Sequence, residues 1–438
     1  MFARRRLQAM IDGLGSELAG SKAVDIVKRL ESKNIDQALP AEMELALMWA
    51  LHELGGAEIE PLWFGASSLP DAYSEQLIPG HACVVEIAAL SDAVLPGPAG
   101  MRNSSRKLSH EAGGIKRGAA SHLSYFFFER TDWVAGELLR RVLAPGDLQV
   151  SEGIRSTLAA WIQQNPQDGQ ELRVQENELD VLIKWNERRQ FRYNYRSSMP
   201  PEIRSLRDNY LFRALKRKAE QLKSEQFEGL RCVILGDVGS TALRRFEDID
   251  PTNRAFSGGQ IIAAFLGQPK PGIDVVAVLG ADRSRHRWDS VQKTIEWKLR
   301  VLCRPGLQIN LEGFDALLQH LPPPRIEGHL ASQLHEQGAF APSGRGRYLS
   351  SLITGGVNRK MQIRFSARLL LDVLAGRQAP ERITEAVGKD ANIFKHRLDR
   401  GETFSLVSFE PRAPDEDDDW IVVEFCDDPA ARGLRVPS

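Results

Sequence analysis

Three carboxylates in the first quarter of the chain could together hold a divalent metal ion. Asp71 stands in the turn-like segment LPDAYSE, and Glu86 follows inside the apolar run CVVEIAAL. Glu44 precedes both, in a segment whose apolar residues recur at helical spacing. Hard oxygen ligands suit Mg²⁺ or Mn²⁺, and an ion held by them can activate water for phosphodiester hydrolysis. The sequence therefore predicts a metal site of Glu44, Asp71 and Glu86, in which Asp71 and Glu86 are also catalytic.

Glu86 is the most informative of the three, because its neighbours Val84, Val85 and Ile87 predict a buried strand. An ionised carboxylate in such a strand is costly to bury without a compensating cation. A metal ion would supply that cation, and so would an arginine in an ordinary α/β core. A purely structural role for Glu86 therefore stays open.

The elements that must position these residues follow from periodicity. Apolar spacing predicts helices over residues 5–33 and 41–54, the second ended by Gly55-Gly56, and a strand over 81–90. A basic segment at 102–117 comes next. The chain as a whole is predicted to be α/β.

Four segments are predicted. Residues 1–144 would form the first part of an α/β domain, and 145–228 a mostly helical, basic insertion. Residues 229–320 would complete the α/β domain, and 321–438 would be a mostly helical region ending in a β-hairpin. The hairpin connection contains the acidic run Asp415 to Asp419, which either is solvated or covers a basic groove.

Composition limits the possible functions. The chain has 438 residues and a formal net charge of −1, so no global field attracts nucleic acid or a membrane. The four cysteines are widely spaced and form no CxxC pair, which argues against a zinc ribbon or a disulfide framework. No apolar run approaches the roughly 18 residues of a membrane span, and no secretory signal follows the initial MFARRR. A cytoplasmic location without membrane contact is expected.

A local basic patch within residues 184–218 could bind DNA. It interleaves cations with aromatic side chains such as Trp185 and Tyr195, a composition suited to phosphate contacts and base stacking. A pair of amphipathic helices with solvated charges is the alternative interpretation. The cations predicted to contact nucleic acid are Lys184, Arg188, Arg189, Arg192, Arg196, Arg213, Lys216 and Arg217.

The order of the motifs resembles the PD-(D/E)xK restriction-endonuclease-like superfamily. The helix ELALMWALHELGG, then PDAYSE, then VVEIAAL match that family's order over about residues 40–130. The segments VILGD, GGQIIAAFL and DVVAVLG extend the resemblance to 229–282. It implies a restriction-endonuclease-like mixed sheet flanked by helices, Mg²⁺-dependent (or Mn²⁺-dependent) cleavage of DNA, and a place in bacterial defence against phage. A protein partner or a homo-oligomer is also possible.

One residue departs from the family pattern. The family's lysine, two positions after the glutamate, corresponds to Ala88 here. In the family that lysine orients the attacking water and stabilises charge in the transition state. Lys107 or Lys116 of the next basic segment is predicted to replace it as a catalytic residue. The alternative is an inactive nuclease-fold module that binds nucleic acid or a partner subunit.

The segment GDVGST after a predicted strand offers a different class of function. Asp237 in this segment could hold a metal ion beside a phosphate-binding turn, as in an ATPase-like protein. An ordinary strand end that turns into the next element explains the same residues. Asp237 could also border the predicted nuclease site.

Overall fold

The computed structural model describes the following residues: 1–18, 20–32, 34–65, 69–134, 137–187, 195–198, 203, 205–247, 255–283, 295–331, 348, 350–353, 362–387, 392–412, 414–428 and 430. The chain divides into two compact units. Unit 1 comprises Met1 and residues 16–333, and unit 2 comprises residues 2–15 and 334–438. Apart from residues 2–15, unit 1 contains the segments predicted as 1–144, 145–228 and 229–320. The N-terminal helix α1 (Arg4–Leu14) belongs to unit 2.

The main sheet of unit 1 has six strands in the order β1-β2-β3-β10-β11-β12. Its central strands β3, β10 and β11 run parallel, and the outer strands are antiparallel to their neighbours. As predicted, residues 229–282 continue the sheet that residues 81–90 begin. The strands are β1 (Glu58–Ile59), β2 (Ala72–Ser74), β3 (Cys83–Leu90), β10 (Leu230–Asp237), β11 (Val275–Arg283) and β12 (Ile295–Cys303).

Helices cover both faces of this mixed sheet, which confirms the predicted α/β class. They are α2 (Gly20–Leu30), α3 (Ile35–Leu54), α6 (Tyr210–Gln221), α7 (Thr241–Arg244), α8 (Gly258–Leu266) and α9 (Glu312–His320). Helix α3 lies over one face, where Met43 fills the space that a side chain at Gly236 would occupy. Helices α6 and α8 pack on the other face, in one apolar cluster with Val84, Ala88 and Val233.

Local sequence explains where these helices begin and end. The N-cap Asn34 of α3 accepts a hydrogen bond from the backbone N–H of Asp36, and the helix ends at Gly55, whose φ of 93° favours glycine. The N-cap Asn209 of α6 accepts from the N–H of Phe212 at 2.8 Å. Ser257 begins α8 with a reciprocal capping box to Gln260.

A second sheet in unit 1 has the strand order β7-β8-β4-β9 and its own apolar cluster with two helices. Its elements, with a two-stranded hairpin β5–β6, are α4 (Pro96–Ile115), β4 (Leu123–Phe127), β5 (Glu129–Val134), β6 (Glu137–Val142), α5 (Glu152–Gln163), β7 (Glu171–Glu176), β8 (Leu179–Trp185) and β9 (Tyr195–Ser197).

The prediction that residues 145–228 are a mostly helical insertion is therefore wrong. The segments ELRVQE and LDVLIKW alternate with a period of two, and they pair as the hairpin β7–β8 with Asn177 at a φ of 53° in the turn. Strand β8 also pairs with β4, so this segment forms one body with residues 96–127 rather than a separate arm.

Unit 2 contains an antiparallel sheet of four described strands in the order β13-β14-β16-β15. The predicted terminal hairpin is confirmed, because β15 and β16 pair directly. Strand β14 was predicted as helix, but Ile363 and Phe365 alternate into its core. The elements after residue 333 are β13 (Ser350–Ile353), β14 (Gln362–Ser366), α10 (Ala367–Leu374), α11 (Glu381–Val387), α12 (Ile393–Asp399), β15 (Glu402–Glu410) and β16 (Trp420–Asp427).

The acidic hairpin connection binds the basic N-terminal helix of the same unit. Arg5 of α1 holds Asp419 through two hydrogen bonds of 2.7 Å, and Arg6 holds Asp415 in the same two-fold way. The planar guanidinium suits this bidentate pairing with a carboxylate. Arg5 lowers the pKa of Asp419 to about 2.

Across the described part of the chain, no helix is both long enough and apolar enough to cross a membrane.

Candidate active site

Asp71 is fixed at the edge where β1, β2 and β3 meet. It directly precedes β2, in which Ala72 pairs with Val85 of β3. One carboxylate oxygen, Oδ2, accepts the backbone N–H of Ile87 at 2.8 Å. The backbone carbonyl of Asp71 accepts the N–H of Glu60 at 3.2 Å. These bonds leave Oδ1 available for a cation.

Glu86 lies beside Asp71 on β3 and is only 1% exposed. Its side chain points to the face of the sheet that α6 covers, since Val84 and Ala88 on the same face belong to the α6 cluster. Burial, and then the negative charge of Asp71, raise the pKa of Glu86 to about 8, against the opposing effect of Lys218. The predicted burial of Glu86 within a strand is confirmed.

The cation that meets Glu86 is Lys218 of α6. Its ammonium Nζ contacts Oε2 of Glu86 and lies 4.0 Å from Oδ2 of Asp71. Leu211, Leu215 and Leu222 on the same side of the helix are fully buried. Helical spacing places Lys218 among them, so packing of α6 delivers its ammonium to β3.

Ala88, where the sequence lacks the expected lysine, is buried beneath α6. Leu211 and Leu215 belong to the same apolar cluster as Ala88. A long side chain at position 88 would therefore meet the helix that supplies Lys218.

A second ammonium, that of Lys22 on α2, lies on the other side of Asp71. It is 2.9 Å from Oε1 of Glu44, 3.1 Å from Oδ1 of Asp71 and 3.2 Å from Oε1 of Glu60. Burial opposes the charge of Lys22, but Asp71 and Glu44 outweigh burial and raise its pKa. Arg29 of α2 also holds Glu44, at 2.7 Å.

Burial would likewise raise the pKa of Glu44, yet Arg29 and Lys22 more than offset it and the pKa lies below its usual value. Glu60 has a φ of 49°, a strained value for a residue with a side chain, and non-glycine residues held in this way are common at functional sites.

These side chains form one carboxylate cluster, in which four carboxyl groups face three cationic side chains. The cluster contains Glu44, Glu60, Asp71, Glu86, Lys22, Arg29 and Lys218. The structure thus places the three predicted metal ligands in one cluster, with Glu44 bonded to Lys22 on one side of Asp71 and Glu86 bonded to Lys218 on the other. The sequence prediction missed Lys22, Arg29 and Glu60 as site residues. It counted Lys218 only as part of the basic patch, although its spacing from Leu211, Leu215 and Leu222 placed it on the buried side of a helix.

The donor set of the cluster suits a hard cation, since all four acidic residues offer carboxylate oxygens. Within the described ranges, no group of three or more His, Cys, Asp and Glu side chains is already spaced to hold a metal ion. Lys22 stands between the oxygens at about 3 Å, an ammonium distance. Mg²⁺ takes oxygen ligands at about 2.1 Å, so the carboxylates would have to close in around it.

The predicted replacements for the missing lysine are wrong in position. Lys107 of α4 binds Asp147 at 2.7 Å, and Lys116 after α4 binds Asn165 at 2.8 Å. Helix α4 packs its apolar side into the cluster of the second sheet, and its lysines therefore reach loops of that body. Neither ammonium is bonded to Asp71 or Glu86.

Two predicted nucleic-acid contacts lie on one face of the second sheet. Lys184 of β8 is paired with Ser124 of β4, and Arg196 of β9 is paired with Phe126 of β4. The two cations therefore share one face of the sheet with the ring of Phe126, which lies on the strand between them. The guanidinium of Arg196 is 5.8 Å from the ring centre of Phe126. Both cations are exposed.

Three more lie on the exposed side of α6: Arg213, Lys216 and Arg217. Arg213 also binds Asp208 at 2.9 Å. The remaining three predicted contacts, Arg188, Arg189 and Arg192, lie outside the described residues.

Asp237 has a local structural role. Its Oδ1 accepts the backbone N–H groups of Gly239 and Ser240 at 2.8 and 2.7 Å, which builds the turn after β10. Burial raises the pKa of Asp237 to about 6. Asp92 supports the same turn by accepting the N–H of Thr241 at 2.9 Å. These contacts fit the ordinary strand-end interpretation of GDVGST.

Comparison with known proteins adds no assignment: no family model, no curated protein and no solved structure matches the chain.

Proposed function

We propose that this chain is a Mg²⁺-dependent nuclease of the PD-(D/E)xK type that hydrolyses phosphodiester bonds in DNA. Its support is the cluster that contains Glu44 from a helix, Asp71 from just before one strand and Glu86 from the adjacent strand. The acidic residues of the superfamily that the sequence resembles follow one another along the chain in the same order. The mixed sheet with helices on both faces is compatible with a restriction-endonuclease-like fold.

The observation that carries the proposal is the position of Lys218. Its ammonium meets Glu86 and lies 4.0 Å from Asp71. It therefore takes the place, relative to the two carboxylates, that the superfamily's lysine would have. A cation at this place can hold an attacking water and stabilise negative charge as the phosphodiester bond breaks.

When bound, Mg²⁺ would activate water and neutralise charge on the phosphate. Asp71, Glu44 and Glu86 would hold the ion. The hydrogen bond from Ile87 to Oδ2 keeps the Asp71 carboxylate in one orientation, and Lys218 keeps Glu86 beside it. Burial of the pair strengthens each charge interaction.

The exposed side of α6 supports the proposed binding of DNA. The buried side delivers Lys218 to the carboxylates, and the exposed side presents Arg213, Lys216 and Arg217 to solvent. Cations on an exposed helix surface can bind successive phosphates of the DNA backbone. A cytoplasmic role in bacterial defence against phage is the part of this proposal that rests on the resemblance alone.

Plasmid cleavage with Mg²⁺ or Mn²⁺ tests the function. The parent chain should nick or linearise plasmid DNA, and Asp71→Asn should reduce the rate by a factor of about 100 or more, since it removes a charge that a preorganised site depends on. Glu75→Gln is the matched control, because Glu75 is exposed on the same segment and binds only Tyr73 among the contacts described.

Cleavage by Asp71→Asn at the parent rate would contradict the proposal. If the parent binds DNA but neither cleaves it nor binds a divalent ion, the chain is instead the inactive binding module that the absent lysine at position 88 left open.

A further inference from the structure

We propose that one face of the second sheet of unit 1 binds single-stranded nucleic acid. The rings of Phe126 and Phe128 would stack on bases, and the side chains of Lys184 and Arg196 would bind phosphates. We call this side of the sheet, which lies away from α4 and α5, the ring face. The inference goes beyond the proposed cleavage, because it assigns a binding surface that needs no metal ion.

Alternation along β4 gives the sheet two different sides. Leu123, Tyr125 and Phe127 are buried in the apolar cluster to which α4 and α5 also contribute. Successive side chains of a strand point to opposite faces, so Phe126 and Phe128 point away from both helices. Both rings are only partly buried. The ring face therefore presents aromatic side chains toward solvent.

One row of side chains crosses all four strands of the ring face. Pairing places Arg173 of β7 beside Leu182 of β8. Leu182 is paired with Phe126 of β4, which is paired in turn with Arg196 of β9. Paired side chains lie on the same face of a sheet. The row thus has an apolar centre between two exposed arginines.

The rings and the guanidinium groups form a stacking surface. The ring centres of Phe126 and Phe128 are 5.3 Å apart, with their planes at 82° to each other. The guanidinium of Arg173 is 4.3 Å from the centre of Phe128 and is held there by two hydrogen bonds to Asp180, of 2.9 and 2.8 Å. The guanidinium of Arg196 is 5.8 Å from the centre of Phe126. Aromatic rings and arginine planes of this kind accept any base, because every base has a π-face.

Charge on the ring face favours a polyanion. Lys184 and Arg196 are both exposed, and neither forms an ion pair with another described residue. Asp180 is buried and already bound by Arg173. Glu171, paired with Lys184 across the strands, is the other acid of this face among the paired residues. Three cations therefore face two carboxylates, and the two cations without an ion pair can hold a sugar–phosphate backbone while its bases reach the rings.

An unpaired strand fits these rings better than a duplex. Bases of a duplex are stacked on each other, whereas those of a single strand can be splayed onto protein side chains. Trp185 and Tyr195, the rings predicted from sequence to stack on bases, pack instead against the cluster on the helix side. The stacking role therefore passes to Phe126 and Phe128, which lie outside the basic patch in sequence.

Fluorescence anisotropy of the full chain in EDTA tests the inference, with a labelled oligothymidine of about 20 nucleotides as the probe. Phe126→Leu should bind it about tenfold or more weakly than the parent, because leucine keeps the apolar contacts but has no π-face. Circular dichroism checks that the variant is folded. Phe409→Leu is the matched control, since Phe409 is 57% exposed on β15 of unit 2. It should bind as the parent does.

An oligouridine of the same length distinguishes the two kinds of single strand. Binding of either strand that depends on Phe126 supports the inference, and the tighter of the two identifies the strand as DNA or RNA.

The salt dependence of binding tests the phosphate contacts. Replacement of both Lys184 and Arg196 by glutamine should lower the slope of log K against log salt concentration by about 0.7 for each phosphate that is no longer neutralised. Lys395→Gln is an exposed control and should leave the slope unchanged. An unchanged slope in the double variant would overturn the assignment of these two cations.

Photocrosslinking of the parent chain gives a readout that needs no variant. An oligothymidine that carries iododeoxyuridine should crosslink to the ring on which the modified base stacks. Mass spectrometry should place the crosslink at Phe126 or Phe128. Crosslinks confined to α6 would overturn the inference.

Failure of this inference is distinguishable from failure of the proposed nuclease, because binding is measured in EDTA. Equal binding of oligothymidine by the parent and Phe126→Leu would overturn the inference, and so would tighter binding of a duplex that is unchanged in Phe126→Leu. Absence of binding of either single strand by the parent would also overturn it and would leave the ring face to a protein partner. None of these results bears on cleavage that depends on Asp71.

Discussion

A lysine introduced at position 88 would restore the family pattern in the sequence, yet the structure predicts that it damages the protein. Ala88 is 8% exposed and lies in one cluster with Leu211 and Leu215, both fully buried. Addition of three methylenes and an ammonium group there overpacks the core at a cost of about 1–3 kcal/mol. The new ammonium would be buried near Lys218. If burial lowers the pKa of this lysine by two or three pH units, its charged form costs about 3–4 kcal/mol more.

The expected loss for Ala88→Lys is therefore about 4–7 kcal/mol, which is a large part of the stability of an ordinary domain. Urea unfolding followed by circular dichroism would measure it, with plasmid cleavage at a temperature where the variant is folded. Ala88→Ser is the control and should lose about 1 kcal/mol or less, because it adds one small atom. If Ala88→Lys is as stable as the parent and cleaves faster, then α6 leaves room for a lysine at position 88, and Lys218 does not take that lysine's place.

Three further predictions concern pH, DNA and packing. Burial raises the pKa of Asp237 from 3.8 to about 6, so the contribution of Asp237 to stability is complete below about pH 4 and is lost as pH rises through 6. Relative to Asp237→Asn, the parent should lose about 3 kcal/mol of unfolding free energy between pH 4 and 7 in urea titrations. Parallel stability curves for the parent and the variant would contradict this raised pKa. Simultaneous replacement of Arg213, Lys216 and Arg217 by alanine should weaken DNA binding and make it less salt-dependent. The slope of log K against log salt concentration should fall by up to about 0.9 for each DNA phosphate that the variant no longer neutralises. Fluorescence anisotropy at several salt concentrations would measure this slope, with Lys395→Ala as an exposed control, and an unchanged slope would show that α6 is not part of the DNA interface. Leu215→Ala should cost about 2–5 kcal/mol in urea unfolding, since Leu215 is fully buried, and a loss below about 1 kcal/mol would show that α6 is packed more loosely than described.

Three of the four carboxylates of the site could be predicted from the sequence, because each lies in a locally distinctive context. Glu86 stands alone in an apolar strand, Asp71 follows a proline before a strand, and Glu44 lies on a strongly apolar helix. These signals span a few residues each, and strand order then brings them together.

The cations of the site could not be predicted in the same way, because their partners are distant in the chain. Lys218 lies 132 positions from Glu86, and Lys22 lies 49 positions from Asp71. Only the packing of α6 and α2 decides which lysine arrives. Lys107 and Lys116 were nearer in sequence, but α4 packs with the second sheet and carries them elsewhere.

The hairpin β7–β8 shows a different limit. Its strands alternate in hydrophobicity, yet the charge-rich stretch around them outweighed that short period in the prediction of a helical insertion. Pairing of β8 with β4, more than 50 residues earlier, stabilises the strand and is not visible in local sequence.

The most direct test of the account is cleavage of plasmid DNA by Lys218→Met in Mg²⁺, beside the parent and beside Lys223→Met, an exposed control just after the same helix. If Lys218 supplies the catalytic cation, Lys218→Met should cleave about 100-fold or more slowly than the parent, while remaining folded and bound to DNA, and Lys223→Met should cleave at the parent rate. Equal cleavage by the parent and Lys218→Met would contradict the account.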